Sequence, residues 1–281
     1  MKLCRYGTPG AEKPGLVDAD GRLRDLSGIC ADIGPREISP EGLAGLAAVN
    51  PATLPEVKGQ PRLGVPYCGM SKFVCIGLNY SDHAAEAGMA VPDEPIIFLK
   101  APSALSGPDD PIIQPPHSTR LDWEVELGVV IGTAARHVHA ADALDFVAGY
   151  CVVNDVSERA FQMQSSQWDK GKGCDTFGPV GPFLVTKDEV PDPQNLAMRL
   201  DVNGRRMQSG NTRTMIFGVR EIVAYCSRYM TLLPGDIIAT GTPPGVGMGM
   251  KPEPVWLRPG DVVELEIAGL GGQRQQVMAH R

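Results

Sequence analysis

No apolar run in these 281 residues approaches the ~18 needed to cross a bilayer. The opening "MKLCRYGTPG" also lacks the apolar stretch of a secretory signal, so the expectation is a cytoplasmic protein with no membrane partner. Concentrated positive charge is missing as well. Lys and Arg number 26 against 33 Asp and Glu, for a net charge of −7, and no basic block or stripe stands out to attract nucleic acid. The seven cysteines include no CxxC pair. An odd number cannot all pair within one chain, and they read as reduced, mostly buried thiols. Tandem repeats and low-complexity tracts are absent too. The glycine-rich "ATGTPPGVGMGM" has neither the GK[ST] ending of a phosphate loop nor the GxGxxG order of a dinucleotide fold, which excludes nucleotide binding there. Its Thr240, Gly241 and Thr242 instead offer hydroxyl and backbone N–H donors to a carboxylate or carbonyl.

What is present is an ordinary globular composition, 43% hydrophobic and 21% charged, long enough for one principal core with a small appendage. Residues 1–70 read as a small N-terminal α+β domain. "KLCRYG" is a strand, "KPGLVDADGRLRDL" a hairpin turning on "DADG". "SPEGLAGLAAV" is a helix with Ser39 as N-cap, Pro40 at its first position and Glu41 in its first turn. Residues 71–281 change texture to short β-rich runs such as "FVCIGL", "IIFLK", "VAGYCVVNDV" and "DVVELEI", with Gly and Pro throughout. That spacing predicts a mainly β sandwich or rolled barrel. Helices are few: 140–146, the stretch around 156–164, and "IFGVREIVAYCSRYMTL".

The run "DWEVELGVV" carries the sharpest chemical signal. At period two it sets Asp122, Glu124 and Glu126 on one face and Trp123, Val125, Leu127 and Val129 on the other. Two carboxylates on one face of a strand sit roughly 7 Å apart and repel unless a cation or proton intervenes. No Lys or Arg lies between Arg120 and Arg136. Asp155 ends the next apolar run at a sheet rim. Three carboxylates on two strands would make a hard, all-oxygen site for Mg²⁺, Mn²⁺ or Ca²⁺. The same spacing also fits a solvated strand face, which half-exposed antiparallel sheets often carry.

"GLNYSDHAAEAG" places His83 and Glu86 three residues apart, so that in a helical turn the carboxylate orients the imidazole as a general base. From these residues alone, a plain helix start capped by Ser81 or Asp82 with an incidental histidine is the preferred reading. "SERAFQMQSSQWDKGKGCDTFGP" brings Arg159, Gln162, Lys170 and Lys172 next to the acids. Cations there can hold an organic carboxylate or a developing enolate, and Lys170 reads equally as part of a solvated loop.

In order, "GLNYSDHAAE", "FLKAPSAL", "DWEVELGVVIG", "GYCVVNDVSERAFQ", "WDKGKGCDTFGPVGP" and "TGTPPGVG" resemble the fumarylacetoacetate hydrolase family over roughly residues 70–281. The resemblance implies a mixed β-roll with few helices, a homodimer or larger homo-oligomer, and one Mg²⁺ or Mn²⁺ per subunit. By motif matching it makes Glu124, Glu126 and Asp155 the metal ligands, His83 and Glu86 a dyad on a lid, and Lys172 the lysine beside the metal. Arg159, Gln162 and Thr242 fall at substrate-contact positions, with Tyr80 and Lys100 as further candidates. The implied activity is hydrolysis of a carbon–carbon bond in a 2,4-diketo acid, giving pyruvate and a carboxylic acid. The loop's likeness to the sugar-acid branch points to a 2,4-diketo-3-deoxy sugar acid such as the rhamnonate or fuconate derivative. The family also includes ureidoglycolate lyases, decarboxylases, isomerases and hydratases, and a chain that had lost catalysis would be a metal-stabilised binding protein.

Overall fold

The structure, a computed structural model, describes residues 1–82 and 90–280. Its strands begin with β1 (Lys2–Tyr6), β2 (Lys13–Val17) and β3 (Leu23–Asp25), the last two forming the expected hairpin. The Asp18 carboxylate closes that turn by accepting the N–H groups of Asp20 and Arg22. Helix α1 (Pro40–Ala47) starts where its cap predicts, with Ser39 Oγ accepting the Gly42 N–H at 3.1 Å. Ser39→Ala should therefore cost about 1 kcal/mol, read as a lower midpoint in urea; an unmoved midpoint would mean the cap contributes nothing.

Downstream come β4 (Phe73–Gly77), β5 (Ile96–Lys100), β6 (Leu105–Ser106), β7 (Ile112–Gln114), β8 (Leu121–Asp122) and β9 (Val125–Ile131). They are followed by β10 (Val147–Asn154), β11 (Ser157–Glu158), β12 (Gly178–Thr186), β13 (Ala197–Val202) and β14 (Arg205–Asn211). The last three are β15 (Ile237–Ala239), β16 (Val262–Ile267) and β17 (Gly271–Ala279). A ten-stranded sheet runs β3-β2-β1-β12-β10-β9-β15-β4-β5, with β6 paired to β12. A five-stranded sheet runs β14-β13-β16-β17-β7, and β8 with β11 forms a separate ladder. Both larger sheets mix parallel and antiparallel pairs. The fold is mainly β, as expected, but the ordered paths are open and no barrel closes among the described residues.

Two apolar layers explain why β9 and β10 read as nearly continuous hydrophobic runs. One face of the large sheet, with Val125, Leu127, Val129, Tyr150 and Val152, packs on the five-stranded sheet and on α4 (Val219–Tyr229). The opposite face, with Val130, Cys151, Val153 and Ala239, is covered by N-terminal residues such as Leu16, Leu26, Ile33 and Ile38. The first 70 residues are thus joined to the rest through the β1–β12 pair, this shared core, and the Arg62–Asp110 ion pair at 2.6 Å.

Helices are shorter than the sequence suggests. The 140–146 stretch closes only as a 3₁₀ turn at Ala143–Phe146. The 156–164 stretch becomes α2 (Arg159–Gln162), because Ser157 and Glu158 are drawn into the ladder with Asp122 and Leu121. A further one-turn helix, α3 (Asp169–Lys172), follows. No helix among the described residues is long and apolar enough to cross a membrane.

Candidate metal centre

The centre forms where β9 and β10 run out. Antiparallel register sets Val153 opposite Glu126, and one step further the Asp155 N–H bonds the Glu124 carbonyl at 2.9 Å. Glu124, Glu126 and Asp155 therefore share a face with Val153, the face filled elsewhere by the N-terminal core. Each of the three offers a carboxylate oxygen, and these oxygens all lie within 4.8 Å of one another. All three residues are buried, so the solvated strand face that their spacing also allowed is excluded.

Asp122 departs from the expected row of three. The chain leaves the ladder between β8 and β9, and the Asp122 carboxylate turns to the N–H groups of Gly247 (2.6 Å) and Met248 (3.1 Å) and to Arg159 Nε (2.8 Å). It anchors the 247–248 turn and Arg159, outside the triplet.

Counter-charge comes from elsewhere in the chain. Lys172 Nζ bridges Glu124 Oε2 at 2.8 Å and Asp155 Oδ2 at 2.7 Å. Lys100 Nζ takes the other Asp155 oxygen at 2.5 Å and the Val156 carbonyl at 3.1 Å. Arg159 Nη2 takes the other Glu124 oxygen at 2.5 Å, while its Nη1 holds Gln162 Oε1 at 3.0 Å. Burial on its own would raise the Glu124 carboxyl, but Lys172 and Arg159 outweigh it and hold it well below the usual carboxylate range. Burial likewise works against the Lys172 ammonium, yet Asp155 and Glu124 keep it charged, above its ordinary value.

Glu126 is the exception. Among the described residues it has no ion pair, and its one hydrogen bond is from the Gly241 N–H to Oε2 at 2.9 Å. Burial first, then the charges of Asp155 and Glu124, push its carboxyl well above the usual range. Gly241 sits at φ +94°, and a Cβ there would come within 2.8 Å of Asn79 Cβ, so this donor requires glycine.

The donor set fits a hard divalent ion. All three ligating groups are carboxylates, which suits Mg²⁺ or Mn²⁺ over zinc. Cys75 lies close enough to feel their charge, but burial pushes its thiol far up and keeps it protonated. Around the cluster, four buried carboxylates (Asp122, Glu124, Glu126, Asp155) face three buried cations (Lys100, Arg159, Lys172). With Glu126 protonated these described groups balance; with it ionised, as a bound cation requires, they are one negative charge over. A divalent ion would make that one positive charge, and a substrate monocarboxylate would then neutralise it.

Other expected residues fall as follows. Thr242 is buried, its hydroxyl donating to the Val125 carbonyl at 2.9 Å and accepting from Gln208 Nε2 at 2.8 Å. Gln208 also accepts the Val125 N–H at 3.0 Å; no sequence motif marked it. Tyr80 is fully buried, close enough for Glu126 to act on it, with its hydroxyl on Met198 Sδ at 3.3 Å. Lys170 is exposed, its ammonium donating to Gln164 Oε1 at 3.0 Å, so it is solvated as one reading allowed, though in the one-turn helix α3 rather than in a loop. His83 and Glu86 lie outside the described residues; beside them, Ser81 Oγ and the Asp82 carboxylate reach Thr214.

Comparison with known proteins places this geometry in context. The family described as fumarylacetoacetate (FAA) hydrolase C-terminal matches residues 72–278. A Burkholderia multivorans protein named only "Putative hydrolase" is 60% identical, with 100% of both chains covered. The structure of a fumarylacetoacetate hydrolase from psychrophilic Exiguobacterium antarcticum superposes with a TM-score of 0.90 at 38% identity, covering 100% of both chains. A maleylpyruvate hydrolase from Sphingobium sp. SYK-6, solved with manganese(II) and pyruvate, superposes at 0.84 with 32% identity, again over 100% of both.

Proposed function

Because the chain belongs to the fumarylacetoacetate hydrolase family, we propose that it hydrolyses a carbon–carbon bond of a 2,4-diketo acid, releasing pyruvate and a carboxylic acid. The observation that carries this reading is the buried carboxylate triplet, with oxygens within 4.8 Å and a buried lysine bridging two of them. Bound by Glu124, Glu126 and Asp155, Mg²⁺ or Mn²⁺ would supply Lewis-acid polarisation of the substrate's 2-oxo and carboxylate oxygens.

The protein's own groups do the rest. His83, oriented by Glu86, takes a proton from water, and the water oxygen bonds to the C4 carbonyl carbon. The C3–C4 bond then breaks, its electron pair passing to the three-carbon fragment. Lys172, already charged by its surroundings, stabilises the negative charge of that fragment. The His83 imidazolium returns its proton to C3, giving pyruvate, and C4 leaves as the carboxylic acid. The His-Glu pair favours hydrolysis over isomerisation or decarboxylation, since only hydrolysis needs an activated water. A homodimer or larger assembly in the cytoplasm belongs to the same proposal, with light scattering on the purified protein as the check on assembly.

A pyruvate-release assay over a panel of acylpyruvates with Mg²⁺ or Mn²⁺ tests the reaction; no pyruvate from any of them would end it. His83→Ala should lower kcat by about 10²-fold or more while calorimetry still finds Mn²⁺ bound. Full activity in that variant would remove the dyad from the chemistry.

A further inference from the structure

Two aromatic rings adjoin the cluster without being closed off from solvent. Phe98 and Trp168 are both half-buried, whereas Tyr80 on the other side is fully buried and bonded to Met198. Phe98 stands opposite Cys75 in the β4–β5 ladder, hence on the same face as Cys75 and the carboxylates. Lys172 Nζ lies 5.0 Å from the Phe98 ring centroid, a cation–π contact. Trp168 meets Phe98 edge to face, with ring centroids 5.5 Å apart and planes at 64°. Trp168 precedes α3 and is four residues from Lys172, so the turn that delivers the lysine also delivers the indole.

The position of Trp168 is specified by its neighbours. Its ring lies over Gly77, where a Cβ would come within 2.6 Å of Trp168 Cζ3. Asp169, the next residue, accepts the Leu99 N–H of the edge strand at 3.3 Å. Among the described residues, the other polar groups beside the cluster include Arg159, Asp122 and the Gly241 amide, which are engaged within the protein, and Gln162, whose Oε1 accepts from Arg159 Nη1.

We propose that Phe98 and Trp168 form the acyl subsite, and that the enzyme prefers 2,4-diketo acids whose acyl group is flat and apolar, aryl or alkenyl, over polyhydroxylated ones. This rests on the pyruvoyl end lying at the carboxylate cluster, as in the proposed function. A flat apolar group gains ring contact and leaves water. Hydroxyls on the acyl chain would give up water for an aromatic surface that offers no acceptor. The subsite thus argues against the sugar-acid expectation drawn from the loop's sequence.

The test is the ratio of kcat/KM for 2,4-dioxo-4-phenylbutanoate to that for 5,6-dihydroxy-2,4-dioxohexanoate, measured on the Mn²⁺-loaded enzyme. The ratio should be about 10 or more for the native protein and fall about tenfold in Trp168→Ala, the loss residing mainly in KM. Gly77→Ala, which pushes the indole aside without removing it, should lower the same ratio. Quenching of Trp168 fluorescence, taken as the difference between native protein and Trp168→Phe, reads binding of each compound independently of turnover. Preference for the hydroxylated compound, or a ratio unmoved by both variants, overturns the subsite and leaves the hydrolysis intact. If neither compound is cleaved but the phenyl compound alone saturates the quenching, the subsite stands and the hydrolysis reading falls.

Discussion

Lys172→Met is expected to abolish hydrolysis and to make the fold depend on a divalent cation. The lysine bridges Glu124 at 2.8 Å and Asp155 at 2.7 Å, and all three groups are buried. Methionine keeps much of the volume but leaves two carboxylates facing each other without their shared cation. Breaking a buried ion pair from one side costs about 3–5 kcal/mol, which in a domain of this size lowers Tm by roughly 10 °C in EDTA. Lys100 and Arg159 still hold the outer oxygens, so the variant should fold when cold. Saturating Mn²⁺ should recover most of the lost stability, because binding to the native state alone adds stability in proportion to the logarithm of ligand over Kd. Activity should stay down by about 10³-fold even then, since the departing enolate has lost its positive partner. Thermal melts with EDTA and with Mn²⁺ decide the matter. A variant that melts with the native protein in EDTA, or gains no more from Mn²⁺ than the native protein does, would show that Lys172 is not the counter-charge of this cluster.

How far the sequence reached is clear from the elements themselves. Alternation within "DWEVELGVV" and the acid closing "GYCVVND" were legible because strand periodicity is local, and the ends of β9 and β10 bring Glu124, Glu126 and Asp155 together, one of the two arrangements that the pattern allowed. The Ser39 cap and the "DADG" hairpin were equally local and equally visible. What stayed hidden depends on distant partners. The break at Trp123–Glu124 that diverts Asp122 follows from β8 pairing with β11, a contact no window around residue 122 contains. Gln208, which pins Val125 and Thr242, comes from the other sheet. The cations on the triplet arrive from β5, α2 and α3, which is why a strand with no local Lys or Arg looked unpaired. Between the sandwich and the rolled barrel that the strand runs both allowed, the choice was undecidable for the same reason: strand runs fix pleat and face, not closure.

Glu126→Gln should separate metal binding from folding more cleanly than any other change at the site. Glu126 is the one member of the triplet without a cation among the described residues, and its carboxyl is pushed well above the usual range by burial and by Asp155 and Glu124. Glutamine keeps an oxygen to accept the Gly241 N–H and removes the like-charge repulsion. Because the raised group binds its proton more tightly in the native state than the unfolded chain does at about pH 4.3, stability falls as pH rises from there through the native-state value. The metal-free native protein should carry that decline and the variant should not. In EDTA the two should therefore melt together at pH 4, with the variant pulling ahead as the pH is raised toward 8. With Mn²⁺ present the order should reverse, since the variant has lost an anionic ligand, and hydrolysis should drop by more than about 10³-fold. Equal Mn²⁺ affinity in the two proteins by calorimetry would remove Glu126 from the metal centre. A variant less stable than the native protein in EDTA at pH 8 would mean that its carboxylate has a partner that compensates its charge.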